Sequence, residues 1–197
     1  MTERVLILAI ESAIAGGSLA VLSNGDDIGN WTGEPDKPLR AEILLNEIRK
    51  LLQRTSVRKE ELTRLAVSVG PGSFTGIRVG AATGMGLARG LGIPMSSLSV
   101  LEALAFSRSH TGAVAVPVGR GAAAYQMFEG GRAASEPASV EQTSLATAVY
   151  GSPILAYSGM GSLLPDSADV EGNLAGIVGR FALSFPERST DPIFLSK

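Results

Sequence analysis

Cysteine is absent and histidine occurs once, at His110. That excludes disulfides, thiolate metal sites and cysteine catalysis, and leaves little room for a zinc centre or a Ser-His-Asp arrangement. Aromatic residues make up only 5% of the chain, and Trp31 and Phe128 are too isolated to form a stacking platform for unpaired bases. Neither charge sign dominates: 17 Lys and Arg stand against 19 Asp and Glu, a formal net charge of −2. There is thus no strong general pull toward nucleic acid or anionic membrane. Long hydrophobic runs are missing too. The run near the N-terminus, Val5 to Ile10, is far short of a membrane span, and Thr2-Glu3-Arg4 before it lacks the net positive charge of a signal peptide. These absences point to a cytoplasmic protein without membrane association.

What is present is an ordinary globular composition, 45% hydrophobic and 18% charged over 197 residues, enough for one large domain or two small ones. Val5 to Ile10 reads as a buried strand and Ser18 to Leu22 as a second. The turn Asn24-Gly25-Asp26-Asp27 returns the chain as a third, Ile28 to Thr32. After a Pro-containing loop, residues 33–38, the spacing of Ala41, Leu44, Leu45, Ile48, Leu51 and Leu52 predicts an amphipathic helix over Arg40 to Gln53. Leu65 to Val69 is a strand, Gly76 to Leu91 a helix stopped by Pro94, and Val100 to Ser107 a further helix capped by Ser97 or Ser99, with Glu102 in its first turn. Ala113 to Val118 completes a β-β-β-α-β-α-α-β order, which implies a mixed five-stranded sheet flanked by helices, a ribonuclease-H-like half. Ala122 to Phe128 is expected to pair with Ala113 to Val118. Beyond it, Val140 to Tyr150 reads as a helix, Ile154 to Tyr157 as a strand, residues 158–169 as loop and Leu174 to Leu183 as a helix. Residues 191–195 read as an edge strand or docking peptide. The expected division is an N-terminal lobe, 1–109, and a reduced C-terminal lobe, 110–197.

The stretch Val67-Ser68-Val69-Gly70-Pro71-Gly72-Ser73-Phe74-Thr75-Gly76-Ile77-Arg78-Val79-Gly80 organises the chain: strand, tight turn, helix. The helix carries Gly80, Gly84 and Gly86, which together cost roughly 2.5 to 3 kcal/mol relative to alanine. Something must offset that. Gly76, Gly80, Gly84 and Ala88 recur every fourth residue and share one face, a groove that another backbone can enter. The approaching backbone belongs either to the chain's own sheet or to another subunit.

Two groups of residues suggest nucleotide or phosphate contact. Gly70, Gly72, Ser73 and Thr75 form a glycine-rich turn at a helix start, although no Lys follows as in a P-loop; capping by Ser73 or Thr75 is the alternative. Glu11 and Ser12, at the end of the first strand, are an acid and a hydroxyl able to hold hydrated magnesium and phosphate, or else part of a ligand-free surface hairpin. His110 reads as a solvated turn residue, and Arg120 with Tyr125 as candidates to face a cleft. The residues assemble no complete catalytic set and no metal site.

Residues 68–94 resemble the TsaB (YeaZ) family of bacterial tRNA threonylcarbamoyladenosine biosynthesis proteins, and Leu8-Ala9-Ile10-Glu11-Ser12-Ala13, Ile93-Pro94 and Pro192-Ile193-Phe194-Leu195 agree with it. The resemblance implies an actin-like, Hsp70-like ATPase fold and a non-catalytic scaffold that activates a homologous catalytic subunit, TsaD, with an ATPase, TsaE, joining them. It implies that tRNA is reached indirectly and that the isolated chain forms a homodimer. The implied partner face lies on the two helices after the meander, with Ala41, Leu44, Leu45, Ile48, Gly76, Arg78, Gly80, Gly84 and Ala88. It assigns no cofactor to the chain alone; ATP and magnesium belong, if anywhere, at a partner interface. The chain departs from the family pattern in having Glu11 where Asp is usual, Leu39-Arg40 where a His is common, and a hairpin at residues 118–125 that keeps only Arg120 and Tyr125. The alternatives are a nucleotide-dependent phosphotransferase of the same superfold, using Glu11, Ser12 and the turn at residues 70–76, and a homodimeric binding protein.

Overall fold

The structure, a computed structural model, describes residues 4–14, 16–34, 39–119, 121–157, 167–170 and 173–195. The first apolar run forms β1 (Leu6–Glu11), and the meander continues through β2 (Ser18–Ser23) and β3 (Asp26–Thr32). Then come α1 (Ala41–Arg54), β4 (Arg64–Ser68), α2 (Phe74–Leu91), β5 (Met95–Leu98) and α3 (Val100–Ser107). The second half contains β6 (Gly112–Gly119), β7 (Ala122–Glu129), β8 (Arg132–Ala133), β9 (Ala138–Glu141), α4 (Leu145–Ala148), β10 (Ile154–Tyr157), β11 (Ser167–Val170) and α5 (Leu174–Ser184).

The first sheet is five-stranded in the order β3-β2-β1-β4-β5, antiparallel through the meander and parallel from β1 to β5. The fifth strand is not the expected one. Ala113 to Val118 is β6, in a second sheet ordered β11-β10-β6-β7-β8 with β9 also on β7, and the first sheet's place is taken by Met95–Leu98. That segment is short and half serine, so it shows no apolar alternation. Its serines hold the chain's C-terminal segment: Ser96 Oγ donates to the Pro186 carbonyl at 3.0 Å, and the Ser97 carbonyl accepts from Thr190 N–H at 2.8 Å.

Alternation along β1 sends its side chains to two cores. Leu6, Leu8 and Ile10 meet Leu44, Ile48 and Leu51 of α1 and Ala88 of α2, whereas Ile7 and Ala9 face α3 and α5. This second cluster also takes in Val114, Val116, Phe128 and Leu155 of the second sheet, so α3 and α5 form a layer shared by both sheets. The expected lobe boundary at 109/110 falls between α3 and β6, yet α5, from beyond it, packs on β1 and β2. Among the described residues no helix is long and apolar enough to cross a membrane.

Three further expectations are corrected. Residues 140–150 are not one helix: Val140 pairs with Ala123 in β9, Gln142 N–H donates to the Gly121 carbonyl, and only Leu145–Ala148 is α-helical. Residues 167–169, read as loop, belong to β11, which pairs in parallel with β10. And α2 ends at Gly92, in the left-handed conformation at φ 67°, before Pro94 is reached. The expectations for residues 35–38, Arg120 and residues 158–166 lie outside the described residues.

The glycine stripe of α2 presses on the chain's own turn after β1 and on β4. A Cβ on Gly76 would lie 2.0 Å from the Ser12 carbonyl oxygen, one on Gly80 2.1 Å from Ser12 Oγ and one on Gly84 2.5 Å from Val67 Cγ2. Gly86, on the opposite side, has nothing within 4 Å. Gly80→Ala is therefore expected to destabilise by about 2 kcal/mol or more through overpacking. Gly86→Ala should stabilise by about 1 kcal/mol through helix propensity alone. Urea denaturation of the two variants measures this, and a shift of the same sign in both contradicts the packing assignment.

Candidate functional site

Three segments converge on the turn between β4 and α2. Ser73 N–H donates to the Ala13 carbonyl at 2.6 Å, Val100 N–H to the Gly70 carbonyl at 2.9 Å and Ile193 N–H to the Val69 carbonyl at 2.9 Å. Gly70 sits at φ 101° and Gly72 lies so close to Ala13 that a Cβ would come within 2.3 Å of its carbonyl oxygen, so neither position admits a side chain without a shift. Ser73 caps α2, its Oγ accepting from Gly76 N–H at 3.3 Å.

Of the polar side chains expected at a phosphate, those of Glu11, Ser12 and Ser73 are engaged here, and Thr75 is exposed. Ser12 Oγ donates to the Gly76 carbonyl at 2.8 Å. Glu11, 1% exposed, turns its Oε1 onto the amides of Ala13 and Ile14 at 2.6 and 2.9 Å. It is thus the brace of its own turn and not part of a surface hairpin. Burial pushes its carboxyl from 4.5 up to about 7, against the two amide hydrogen bonds that draw it down. A cleft of about 600 Å³ opens beside the turn, between Pro71, Ser73 and Thr75 on one side and Val118, Gly119 and Ser139 on the other. No described residue lining it is charged. These residues do not fit a magnesium nucleotide held by this chain alone, because the one nearby acid is buried against backbone and the hydroxyl of Ser12 is already bonded. Among the described residues, no three His, Asp or Glu side chains converge as a metal site would need. His110 bonds the Ala113 carbonyl through Nε2 at 3.1 Å.

The residues expected on a partner face divide in two. Leu44, Ile48, Gly76, Gly80, Gly84 and Ala88 are buried and face inward, whereas Ala41, Leu45 and Arg78 are exposed. The correction is one of direction: a stripe without Cβ atoms serves approach to Ser12 and Val67, so the solvent face of α2 lies behind it. There Arg78, Ala82, Met85 and Arg89, spaced at i, i+4, i+7 and i+11, form an exposed line. The helical period that marked the glycine stripe contains this line, half a turn away, but composition draws the eye to the glycines. A second exposed feature gave no sequence signal. Phe194 packs on Phe74 with ring centroids 4.9 Å apart, and the Arg78 guanidinium lies 3.8 Å over the Phe74 ring.

A family model for TsaD, the tRNA N6-adenosine threonylcarbamoyltransferase, matches residues 39–137. The tRNA threonylcarbamoyladenosine biosynthesis protein TsaB of Haemophilus influenzae is 31% identical over 103 residues, which are 52% of this chain and 43% of that protein. The chain belongs to the TsaB (YeaZ) family. The tRNA N6-adenosine threonylcarbamoyltransferase of Phocaeicola vulgatus is 32% identical over 111 residues, covering 50% of this chain and 33% of that one. The chain therefore matches less than half the length of these relatives. Among solved structures, YeaZ from Pseudomonas aeruginosa superposes with a TM-score of 0.72 at 21% identity, over 97% of this chain and all of that one. An inorganic polyphosphate/ATP-glucomannokinase from Arthrobacter follows at 0.56 and 13% identity, covering 93% of this chain and 100% of that one, which places the fold among the actin-like ATPases and kinases.

The buried Glu11 generates a pH prediction. The folded state holds its proton more tightly than the unfolded chain does, so the stability it contributes is complete at low pH and is lost as pH rises from about 4.5 through about 7. Glu11→Gln keeps an acceptor for the Ala13 and Ile14 amides and removes the titration. Urea denaturation should show the stability difference, variant minus wild type, rising by on the order of 2 to 3 kcal/mol across that window. A difference independent of pH refutes the assignment.

Proposed function

We propose that the chain is a non-catalytic subunit of tRNA threonylcarbamoyladenosine biosynthesis, a scaffold that docks on a homologous TsaD-like catalytic subunit and activates it. The observation that carries this reading is the two-faced character of the helix pair α1 and α2. Their inner faces are consumed by the core, yet Leu45 remains 50% and Met85 45% exposed, flanked by Ala41, Arg78, Ala82 and Arg89. Apolar side chains rimmed by arginine on two touching helices are the composition of a contact surface with a buried centre and a polar edge. The names of the matched relatives support the choice of pathway, since they include both the biosynthesis protein and the transferase. The engagement of Glu11 and Ser12 in their own turn favours a scaffold over a phosphotransferase. On this reading a TsaE-like ATPase joins the pair in the cytoplasm, tRNA is reached through the partner, and the isolated chain pairs with itself through the same helices.

The test is the double variant Leu45→Glu/Met85→Glu, examined by co-purification and titration with the TsaD-like partner. It should keep the melting temperature of the wild type while binding about 30-fold or more weakly, the scale of a lost interface anchor. Undiminished binding excludes this face. Restoration of adenosine modification by the chain in a strain lacking the native subunit supports the functional reading, and failure of wild-type chain and partner to associate at all overturns it.

A further inference from the structure

The exposed cluster at the start of α2 is built from two distant parts of the chain. Three hydrogen bonds fix the register of the C-terminal segment: the Pro186 carbonyl accepts from Ser96 Oγ at 3.0 Å, Thr190 N–H donates to the Ser97 carbonyl at 2.8 Å and Ile193 N–H to the Val69 carbonyl at 2.9 Å. They deliver Phe194 to Phe74, with ring centroids 4.9 Å apart, and the Phe74 ring in turn carries the Arg78 guanidinium at 3.8 Å. Phe74 and Phe194 are 50% and 49% exposed. Half of each residue stays in water, so the pairing gains less from burial than a core contact would.

Arg78 itself makes no hydrogen bond or ion pair among the described residues. It stands one turn into α2, near the end of a helix at which a cation gains nothing from the dipole. α2 contains no Asp or Glu, and its charged residues are Arg78 and Arg89. Stacking on Phe74 covers one face of the guanidinium and leaves its in-plane N–H groups to a carboxylate. We propose that Phe194 is a positioning residue for docking: it buttresses the Phe74 ring so that Arg78 is held ready to meet a carboxylate of the TsaD-like partner. The inference rests on the docking face proposed above and extends it to the C-terminal segment. A long side chain fixed before contact loses less rotamer freedom on binding, which is the gain that the buttress supplies.

A double-mutant cycle tests this, by titrating the full chain with the TsaD-like subunit of the same organism. Arg78→Ala should weaken binding about tenfold and reduce its salt dependence. Phe194→Ala should weaken it several-fold with a nearly unchanged melting temperature, and should add nothing in the Arg78→Ala background. Phe194→Tyr, which keeps the ring, should bind as the wild type does. If Phe194→Ala does not fold, Phe194→Leu serves, with the same loss expected and the apolar bulk retained. Losses that add in the double variant, or full affinity in Phe194→Ala, overturn the inference. The docking reading stands in that case as long as Leu45→Glu/Met85→Glu abolishes binding, whereas wild-type chain that does not bind the subunit overturns both.

Discussion

The approach of α2 to the turn after β1 is the constraint on which the arrangement depends. Gly76 and Gly80 bring the helix so close to Ser12 that a single methyl group at either position would overlap its carbonyl or hydroxyl oxygen. Ser12 answers by donating to the Gly76 carbonyl, an added bond between the turn and the helix. Beside this contact the turn at residues 69–73 collects hydrogen bonds from α3, Val100 N–H to the Gly70 carbonyl, and from the C-terminal segment, Ile193 N–H to the Val69 carbonyl. The unfavourable propensity of the glycines, roughly 2.5 to 3 kcal/mol, is offset at this joint rather than in the helix itself.

The same joint governs what chemistry the scaffold retains. Structures of kinases and related proteins share this architecture, and a cleft does open beside the turn. Yet most of the groups that could address a phosphate are turned to the protein's own backbone: Glu11 to two amides, Ser12 to a carbonyl, Ser73 to Ala13 and Gly76, with Thr75 on the cleft wall. A glycine-rich turn before a helix has two uses, presenting free amides to an anion or letting backbones touch. At Gly72 and Gly76 the touching backbone is residues 12 and 13 of this chain.

Much of the fold was legible because its signals are local. The meander, α1 and α2 each announce themselves through turn residues or an apolar period, and the observed elements lie within a few residues of the expected ones. β5 and β9 are different. Met95-Ser96-Ser97-Leu98 is a strand because β4 lies beside it and the C-terminal segment covers its edge, and Val140 is extended because Ala123 pairs with it. Such segments take their form from distant partners, which no window of sequence contains. The direction of the glycine stripe stayed open for a related reason: periodicity tells which residues share a face, but not what meets that face. The contacts of Arg188 with Glu102 and of Phe194 with Phe74 join residues far apart in the chain and likewise left no local trace.

The two sides of α2 impose different rules on sequence. The inner side tolerates no Cβ at Gly76, Gly80 or Gly84, and the turn before it tolerates none at Gly72. On the outer side Ala82, Met85 and Arg89 are exposed and Gly86 lies in open space, whereas Arg78 is held over the Phe74 ring. The family match spans residues 39–137, which includes α1 to α3 and the turn before α2, though not the Ser12, Ala13 and Ile193 side of the joint. The long motif that identifies the family is therefore in large part a packing requirement, shared by any chain that closes this joint in this way. Likeness of that kind establishes the scaffold firmly and says little about chemistry. What distinguishes one such chain from another has to be written where the joint leaves the sequence free, on the outer line of α2 and on the neighbouring surface of α1.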